Sequence, residues 1–287
     1  MILVTGASGV IGKAVCKQLD NLVIPYLSIT GNSSADKSNS VDLSVSNLDW
    51  KFLEIKPSAI IHLAAAVPHH LEIIDNDQNS QKTKAIDSNV FKLQRKFKCP
   101  IVYMSSCGLY SRSSESFHKE VDVSNLNPTT PYFDAKKMGE YTLRDVKNSA
   151  ILRLSAPVST FAPKNLVFSQ FITASQGAST LYVHGQGTRE QDYITAHDAA
   201  SAIVGVLLEE RFGTFNLCSS NPVTMLELAN RIQIFFGKGN IKVGHKPDAQ
   251  EGFKARYSNE KLKDTINWAP NTDIDYFIKS LIGEAND

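Results

Sequence analysis

Two residues one helical turn apart, Tyr132 and Lys136, have the clearest capacity for chemistry in this chain. A free phenol has a pKa of about 10, too high for an efficient base near neutrality, and a neighbouring ammonium group lowers it. Such a tyrosine can take a proton from an alcohol that is oxidised, or give one to a carbonyl that is reduced. Because the spacing also arises by chance in surface helices, the surrounding elements decide its meaning.

The residues before this pair predict the start of a helix. Thr130 is of the type that caps helix N-termini, and Pro131 suits the first helical position. A helical pattern runs on from there through residue 141. It places Tyr132 in the first turn and Lys136 one turn later on the same face.

A serine upstream is a third candidate for the same site. Ser106 follows an apolar run over residues 101–104 that predicts a strand. The carboxyl end of such a strand faces the ligand crevice of an open α/β sheet, where a hydroxyl can stabilise charge that develops on a reacting oxygen. The alternative is a serine that only shapes a turn.

Glycines at every third position open the chain's first predicted helix, directly after a short apolar strand. Glycine permits a tight turn and lets the backbone approach a pyrophosphate, while a helix N-terminus offers amide groups to its oxygens. The context of strand, turn and helix favours a dinucleotide site over a plain glycine-rich turn. The residues assigned to cofactor binding here are Gly6, Ser8, Gly9, Val10, Ile11 and Gly12.

Two further segments are candidates for the same cofactor groove. Asp42, followed by Leu43, lies where an acid can bind an adenine amino group. Leu63, Ala64 and Ala65 end a predicted strand with small residues, against which a flat cofactor can lie. Tight packing alone would also explain the alanines.

The sequence does not decide between NAD and NADP, although it favours NADP. An NAD site usually has an acid after the second strand, to hold the ribose hydroxyls. Residues 28–34 contain hydroxyl and amide side chains but no acid, and Lys37 follows. This composition suits a ribose phosphate, and a merely solvated loop explains it equally well.

Short apolar runs alternate with helical patterns through the first half of the chain, as in a buried parallel sheet covered by helices. The predicted fold is α/β: a Rossmann-type doubly wound parallel sheet with a smaller C-terminal substrate-binding lobe. Residues 1–154 would form most of the NAD(P)-binding domain, and residues 155–287 would complete the sheet and form the lobe. Helices are predicted over residues 165–175, 197–210 and 224–236.

The bulk composition excludes several classes of function. A net charge of +1, from 30 basic and 29 acidic residues, gives no reason to expect nucleic acid or a membrane surface as partner. No apolar run reaches the roughly 18 residues of a membrane span, and the first residues do not form a signal peptide, so we expect a cytoplasmic protein. The cysteines are scattered, which predicts free thiols and no metal site. They are Cys16, Cys99, Cys107 and Cys218.

Taken together, these motifs resemble the extended short-chain dehydrogenase/reductase family, in particular its nucleotide-sugar epimerase, dehydratase and reductase branch. The similarity covers nearly the whole chain. Beyond the motifs above, residues 187–200 resemble the segment that leads into the family's substrate-lobe helix, and Phe215-Asn216-Leu217 the strand that follows. Arg153 also belongs to the pattern.

The resemblance implies site residues and partners that the spacing alone does not give. It implies a catalytic set of Ser106, Tyr132 and Lys136, and a role for Asn79 in the cofactor groove. Arg189 and Arg256 would bind the substrate, the latter through its diphosphate, although a surface role for Arg256 is an equal alternative. The implied partner is a nucleotide sugar, and the resemblance alone suggests a homodimer.

Departures from the family pattern narrow the expected reaction. The 4,6-dehydratases carry an acidic pair where this chain has Cys107 and Gly108, and 3,5-epimerase/reductases use a cysteine at the position of Gly108. We therefore interpret Cys107 as a small packed residue. Ala156 replaces an asparagine frequent in hexose 4-epimerases. The hypothesis is reduction of a 4-keto group on a nucleotide-activated deoxy sugar; the alternatives are an NAD-dependent 4-epimerase and a non-catalytic NAD(P)-binding regulator.

Overall fold

A computed structural model describes residues 1–31, 40–46, 48–53, 56–68, 77–111 and 113–283. Its strands are β1 (Ile2–Thr5), β2 (Tyr26–Ile29), β3 (Ala59–His62), β4 (Ile101–Ser106), β5 (Ser149–Leu154), β6 (Ala156–Val158), β7 (Thr180–Val183), β8 (Glu190–Gln191), β9 (Tyr193–Thr195), β10 (Gly213–Leu217), β11 (Val223–Thr224) and β12 (Asn240–Val243). Its α-helices are α1 (Val10–Asn21), α2 (Asp77–Phe97), α3 (Pro131–Leu143), α4 (Val167–Gln176), α5 (Ala196–Leu208), α6 (Met225–Phe236), α7 (Glu260–Ile266) and α8 (Ile274–Gly283).

Six of these strands form one parallel sheet in the order β10-β5-β4-β3-β1-β2. Helices α1 and α5 pack together, as do α2 and α3, and the two pairs contribute to separate apolar clusters. Alternate residues of each strand point into one cluster or the other, for example Val102 and Tyr103 on β4. The predicted doubly wound α/β fold is confirmed. It brings the carboxyl ends of β1, β3 and β4 to one edge.

The second half of the chain supplies the sixth strand and a further core. β10 pairs with β5 at the edge of the sheet. A third apolar cluster joins α4, α6 and α8, and β7 pairs with β12 beside it. The three helices predicted in this half appear as α4, α5 and α6 with small shifts at their ends. The division of the chain near Leu154 stays a prediction.

Two element boundaries differ from the sequence prediction for a local reason. The apolar run over residues 23–29 predicts the second strand, but β2 begins at Tyr26, because Val23 has a left-handed φ of 56° and its amide closes the turn after α1. α5 ends at Leu208, and Glu210 beyond it has a φ of 52°. Within the described residues, no helix is long and apolar enough to cross a membrane, and no His, Cys, Asp or Glu cluster suits a metal.

Candidate active site

The two adjacent serines at the end of β4 have different surroundings. Ser105 is buried, and its hydroxyl donates to Oε1 of Glu140 on α3 at 2.5 Å. Ser106 is half-buried, and its Oγ accepts a bond from the Gly108 amide at 3.0 Å. Because successive side chains of a strand point to opposite faces, Ser105 is committed to the protein interior and Ser106 remains at the edge of the sheet.

The first turn of α3 positions Tyr132 as the sequence predicted. Thr130 is the N-cap, with extended backbone angles, and its Oγ1 accepts a bond from the Phe133 amide at 3.3 Å. Pro131 occupies the first helical position, where no backbone donor is needed. The predicted start of this helix is confirmed. Tyr132 follows in the first turn with 7% of its surface exposed.

Lys136 lies one turn further along α3 with its ammonium group inside the protein. Its Nζ donates to the carbonyl oxygen of Met104 at 2.9 Å and lies 4.7 Å from the ring centroid of Tyr103. Burial lowers the pKa of Lys136, while the carboxylates of Asp87 and Glu140 act in the opposite direction. The ammonium therefore sits beside β4, two residues before Ser106.

Because Gly108 has no side chain, the start of α3 can pack closely against the end of β4. A Cβ atom on Gly108 would lie 2.2 Å from the ring of Phe133, so this ring occupies the space that a larger residue would need. The ring of Tyr132 lies 5.5 Å from that of Phe133, between centroids. The three residues of the implied catalytic set thus converge on the carboxyl end of β4. Their catalytic roles stay a prediction.

Cys107 lies in the interior rather than at the edge where chemistry would occur. It is 1% exposed, and its thiol donates to the carbonyl oxygen of Arg153 at 3.0 Å. Burial raises its pKa well above the ordinary value for a thiol. These contacts agree with our interpretation of Cys107 as a packed residue.

A buried network runs from the glycine-rich turn to α2. Oγ1 of Thr5 lies 2.8 Å from Nδ1 of His62, and Nε2 of His62 lies 3.0 Å from Oδ1 of Asp87. The Tyr103 hydroxyl donates to Oδ2 of Asp87 at 2.6 Å. Asp87 was not predicted from the sequence. Its position beside Ile86 on the apolar stripe of α2 could have indicated a buried acid that needs hydrogen-bond partners.

A second buried network supports the other side of the site. The guanidinium of Arg153 binds both carboxylate oxygens of Glu140, with Nε to Oε1 at 3.0 Å and Nη2 to Oε2 at 2.7 Å. Its Nη1 donates to the Tyr110 hydroxyl at 2.8 Å, which in turn donates to Oδ1 of Asn216 on β10. The network ties α3 to β4, β5 and β10, and so fixes α3 relative to the sheet.

The glycine-rich turn has the close backbone packing that a phosphate-binding turn requires. Gly6 has a φ of 71°, and a Cβ there would lie 2.7 Å from the Ala64 amide nitrogen. A Cβ on Gly12 would lie 2.1 Å from the carbonyl oxygen of Gly6. Gly9 caps α1 without a side-chain acceptor, while Ser8 and Gly9 are exposed. The first-turn amides thus have no side-chain cap and fit the phosphates of a dinucleotide.

Side chains from α2 hold the segments predicted to lie beside the cofactor. The amide of Asn89 donates to the carbonyl oxygens of Leu43 and Val45, both at 2.9 Å. Asn89 lies in the middle of α2, and its anchoring of residues 43–45 was not predicted from the sequence. Asp42 is half-buried, and bonds from Ser44 lower its pKa.

The remaining cofactor candidates fall at the same edge of the sheet. Leu63, Ala64 and Ala65 follow β3 and are half-buried. Thr83 accepts a bond from the Ala66 amide at 3.1 Å, and Asn79 lies one turn before it on α2. Ser33, Ser34 and Lys37, on which the preference for NADP rests, lie outside the described residues.

Both arginines expected to bind substrate are engaged with carboxylates. Arg256 donates from Nε and Nη2 to the two oxygens of Glu190, at 2.7 and 2.6 Å. Nε of Arg189 lies 3.2 Å from Oδ2 of Asp248. A diphosphate would have to compete with Glu190 for the fork of Arg256, so its role in substrate binding stays a prediction.

Comparison with known proteins identifies the family. The model of the NAD dependent epimerase/dehydratase family matches residues 2–218. UDP-glucuronic acid decarboxylase 1 of Arabidopsis thaliana is 24% identical over 294 residues, which are 95% of this chain and 67% of that protein. The chain spans only 65% of the length of two related Arabidopsis decarboxylases. dTDP-4-dehydro-6-deoxyglucose reductase of Escherichia coli is 23% identical over 308 residues, with 98% of this chain and 96% of that protein covered.

Similarity to solved structures extends over the whole fold. UDP-glucose 4-epimerase of Thermus thermophilus, solved in complex with NAD, superposes with a TM-score of 0.82 at 19% identity, over 97% of this chain and 96% of that one. At this identity the structural match shows the fold, whereas the family model spans three quarters of the sequence and confirms the resemblance drawn from the motifs. The chain belongs to the NAD dependent epimerase/dehydratase family, within the extended short-chain dehydrogenases/reductases.

Proposed function

We propose that this protein is a nicotinamide-dependent oxidoreductase that reduces the 4-keto group of a nucleotide-activated deoxy sugar. The observation that carries the proposal is the enclosed ammonium of Lys136 beside β4, with Tyr132 one turn earlier on α3 and Ser106 at the strand's end. This arrangement suits proton transfer to an oxygen at the carboxyl edge of the sheet.

The cofactor is NADP or NAD, with NADP favoured by the loop after β2. The amides at the start of α1 would bind the phosphates of the cofactor, and the half-buried Leu63, Ala64 and Ala65 would pack against it. Asp42 would contact the adenine and Asn79 the groove. When bound, the nicotinamide supplies the hydride that is added to C4.

Three side chains of this chain would handle the oxygen of the sugar. Tyr132 gives its phenolic proton to the carbonyl oxygen as hydride reaches C4, so that ketone, hydride and proton together form the alcohol. Ser106 donates a hydrogen bond to the same oxygen and stabilises its developing negative charge. Lys136 stabilises the resulting phenolate and holds the nicotinamide ribose.

Residues next to Ser106 favour reduction over the family's other reactions. Dehydration needs an acid and a base at the positions of Cys107 and Gly108, where the structure has a buried thiol and a glycine under the Phe133 ring. Ala156 offers no side-chain amide for an epimerase-type contact.

The reaction is tested by following the absorbance of reduced nicotinamide with a panel of 4-keto and 4-hydroxy sugar nucleotides. Stoichiometric consumption of NADPH with a 4-keto sugar is the expected result. Interconversion of 4-hydroxy sugars without net cofactor change would establish the 4-epimerase instead. Cofactor binding with no turnover across the panel would favour a non-catalytic regulator.

The proton-transfer role is tested with Tyr132→Phe, which removes only the hydroxyl. We expect kcat to fall by about 10²–10⁴-fold while the affinity for the cofactor is largely retained. Tyr141→Phe is the matched control, because Tyr141 lies on the same helix and is 47% exposed. A Tyr132→Phe enzyme as active as this control would refute the assignment.

A further inference from the structure

The ammonium of Lys136 needs a compensating charge. The residue is 3% exposed, and its ammonium donates to the carbonyl oxygen of Met104 and lies over the ring of Tyr103, neither of which carries a charge. A buried charge is costly unless an opposite charge balances it. Two buried carboxylates, those of Asp87 and Glu140, interact electrostatically with this ammonium and favour its charged form.

Glu140 already has a cationic partner. Its two oxygens bind the guanidinium of Arg153 at 2.7–3.3 Å, with both side chains 1% exposed. Ser105 donates a further bond to the same carboxylate. Since Arg153 retains its proton at any ordinary pH, it balances the charge of Glu140.

Asp87 is held by donors that do not cancel its charge. Its oxygens accept from Nε2 of His62 at 3.0 Å and from the Tyr103 hydroxyl at 2.6 Å. Burial lowers the pKa of His62, which leaves the ring neutral near pH 7. Nδ1 then accepts the hydroxyl proton of Thr5, whose Oγ1 accepts from the Ala64 amide at 3.4 Å. Within the described part of the chain, His62 is the one basic side chain within ion-pair distance of Asp87, and as a neutral ring it leaves the carboxylate charge unbalanced.

We propose that Asp87 is a positioning residue whose buried carboxylate balances the ammonium of Lys136 and holds it beside Tyr132. Tyr103 joins the two, because its hydroxyl binds Asp87 and its ring face carries Lys136. A glycine permits this contact: a Cβ on Gly139 would lie 2.2 Å from the Tyr103 hydroxyl oxygen and 2.9 Å from Oδ2 of Asp87. The inference rests on the proposed function, since it assigns Asp87 a part in the same proton transfer.

The packing also couples this carboxylate to the cofactor turn. Phe91 packs edge-on against the rings of Tyr103 and His62, with centroids 5.4 and 5.9 Å away. His62 in turn contacts Thr5, which directly precedes Gly6. Through Tyr103 and His62, Asp87 therefore connects the surroundings of the lysine to the end of the strand from which the phosphate-binding turn begins.

Loss of the Asp87 charge should lower the pH at which the groups of the site titrate. The ionisable groups that act around Lys136 are Asp87 on α2, Tyr103 on β4, and Tyr132 and Glu140 on α3, with His62 behind them on β3. Removing the negative charge of Asp87 disfavours the ammonium and favours the phenolate of Tyr132. Both groups would then lose their protons at lower pH, so the basic limb of reductive turnover would move to lower pH.

The test compares Asp87→Asn with the wild-type enzyme, using protein whose lysines carry carbon-13 at Cε. The Lys136 resonance is assigned by its loss in Lys136→Arg, and its titration is followed by NMR. We expect its midpoint, and the basic limb of kcat, to fall by about one pH unit in Asp87→Asn. Asp134→Asn is the matched control, because Asp134 lies two residues from Tyr132 but its side chain is 50% exposed. We expect solvent to screen that change, so the midpoint should stay in place.

A second variant provides the test if Asp87→Asn does not fold. Tyr103→Phe keeps the ring and both charges but removes the anchor of Asp87, so we expect a smaller shift in the same direction. An unchanged Lys136 midpoint in the folded variants, or a loss of kcat that is equal at every pH, would overturn the inference. The NMR titration requires no substrate, so a wild-type enzyme that reduces no sugar would contradict only the proposed function.

Discussion

At the scale of single residues, the neighbouring serines of β4 separate catalytic from structural roles. Ser106→Ala should lower kcat by about 10²–10³-fold, because it removes a donor aimed at the reacting oxygen. Ser105→Ala should instead lower the free energy of unfolding by about 1–2 kcal/mol, because Glu140 loses a buried hydrogen-bond donor. Steady-state kinetics and urea unfolding of both variants distinguish these outcomes. The reverse pattern would show that the wrong serine was chosen.

The same scale shows why part of the site could be predicted from the sequence. Tyr132 and Lys136 interact through a local helical spacing, and Thr130 marks the start of their helix within two residues. The partners of Asp87 lie elsewhere: His62 is 25 positions away, and His62 meets Thr5 across 57 positions. Only the folded sheet brings these side chains together. The sequence shows an acid on the apolar stripe of α2, but it does not show which residues that acid binds.

At the scale of elements, the first turn of α1 tests whether close packing positions the cofactor site. In Gly12→Ala, the new Cβ would overlap the carbonyl oxygen of Gly6, which is backbone and cannot rotate away. The strand–helix turn must move, and we expect the unfolding free energy to fall by about 1–3 kcal/mol and NADPH affinity by about tenfold or more. Fluorescence titration of NADPH and urea unfolding measure the two effects.

A glycine in an uncrowded position provides the control for that change. At Gly177, after α4, a Cβ would make only ordinary contacts, the nearest at 3.5 Å, and φ is −83°. Gly177→Ala should leave cofactor affinity unchanged. Equal cofactor affinities for the two variants would contradict the assignment of the turn to phosphate binding.

Among the elements, strands with continuous apolar runs could be predicted, whereas the pairing of β7 with β12 could not. β7 and β12 are four residues each and are joined by a register between residues 60 positions apart. Half of β7 and all of β12 are partly or fully exposed, so neither shows the apolar run of a buried strand. The start of β2 and the end of α5 depend on Val23 and Glu210, which have left-handed backbone angles that their residue types do not predict.

At the scale of the whole molecule, Asp192, between β8 and β9, binds segments that follow two strands of the central sheet. Its backbone carbonyl oxygen accepts from the Ala156 amide at 3.1 Å, and its Oδ1 accepts from the Ser219 amide at 2.8 Å. These bonds link the first residue of β6 and the segment after β10 to the residue between β8 and β9. Asp192 is fully buried, and the hydrogen bonds that reach its carboxylate from Ser155, Ser219 and Ser220 offset its loss of solvation only in part.

That burial makes the stability of the whole fold depend on pH. Burial raises the pKa of Asp192 to about 6, above the ordinary value of 3.8. As pH rises, the unfolded chain therefore releases this proton before the folded chain does. The buried carboxylate lowers the free energy of unfolding increasingly between about pH 4 and about pH 6, and by a constant amount above pH 6.

Asp192→Asn removes the charge, keeps an acceptor for Ser219 and adds a donor for Ser155. We expect the variant to be more stable than the wild type by about 2 kcal/mol at pH 7.5, and about equal near pH 4. Urea unfolding at both pH values measures the difference, with Ser155→Ala as the variant that retains the charge and hence a pH dependence of the same sign as the wild type. An Asp192→Asn protein no more stable than the wild type at pH 7.5 would mean that the carboxylate is compensated, and that this junction contributes no pH dependence to the fold.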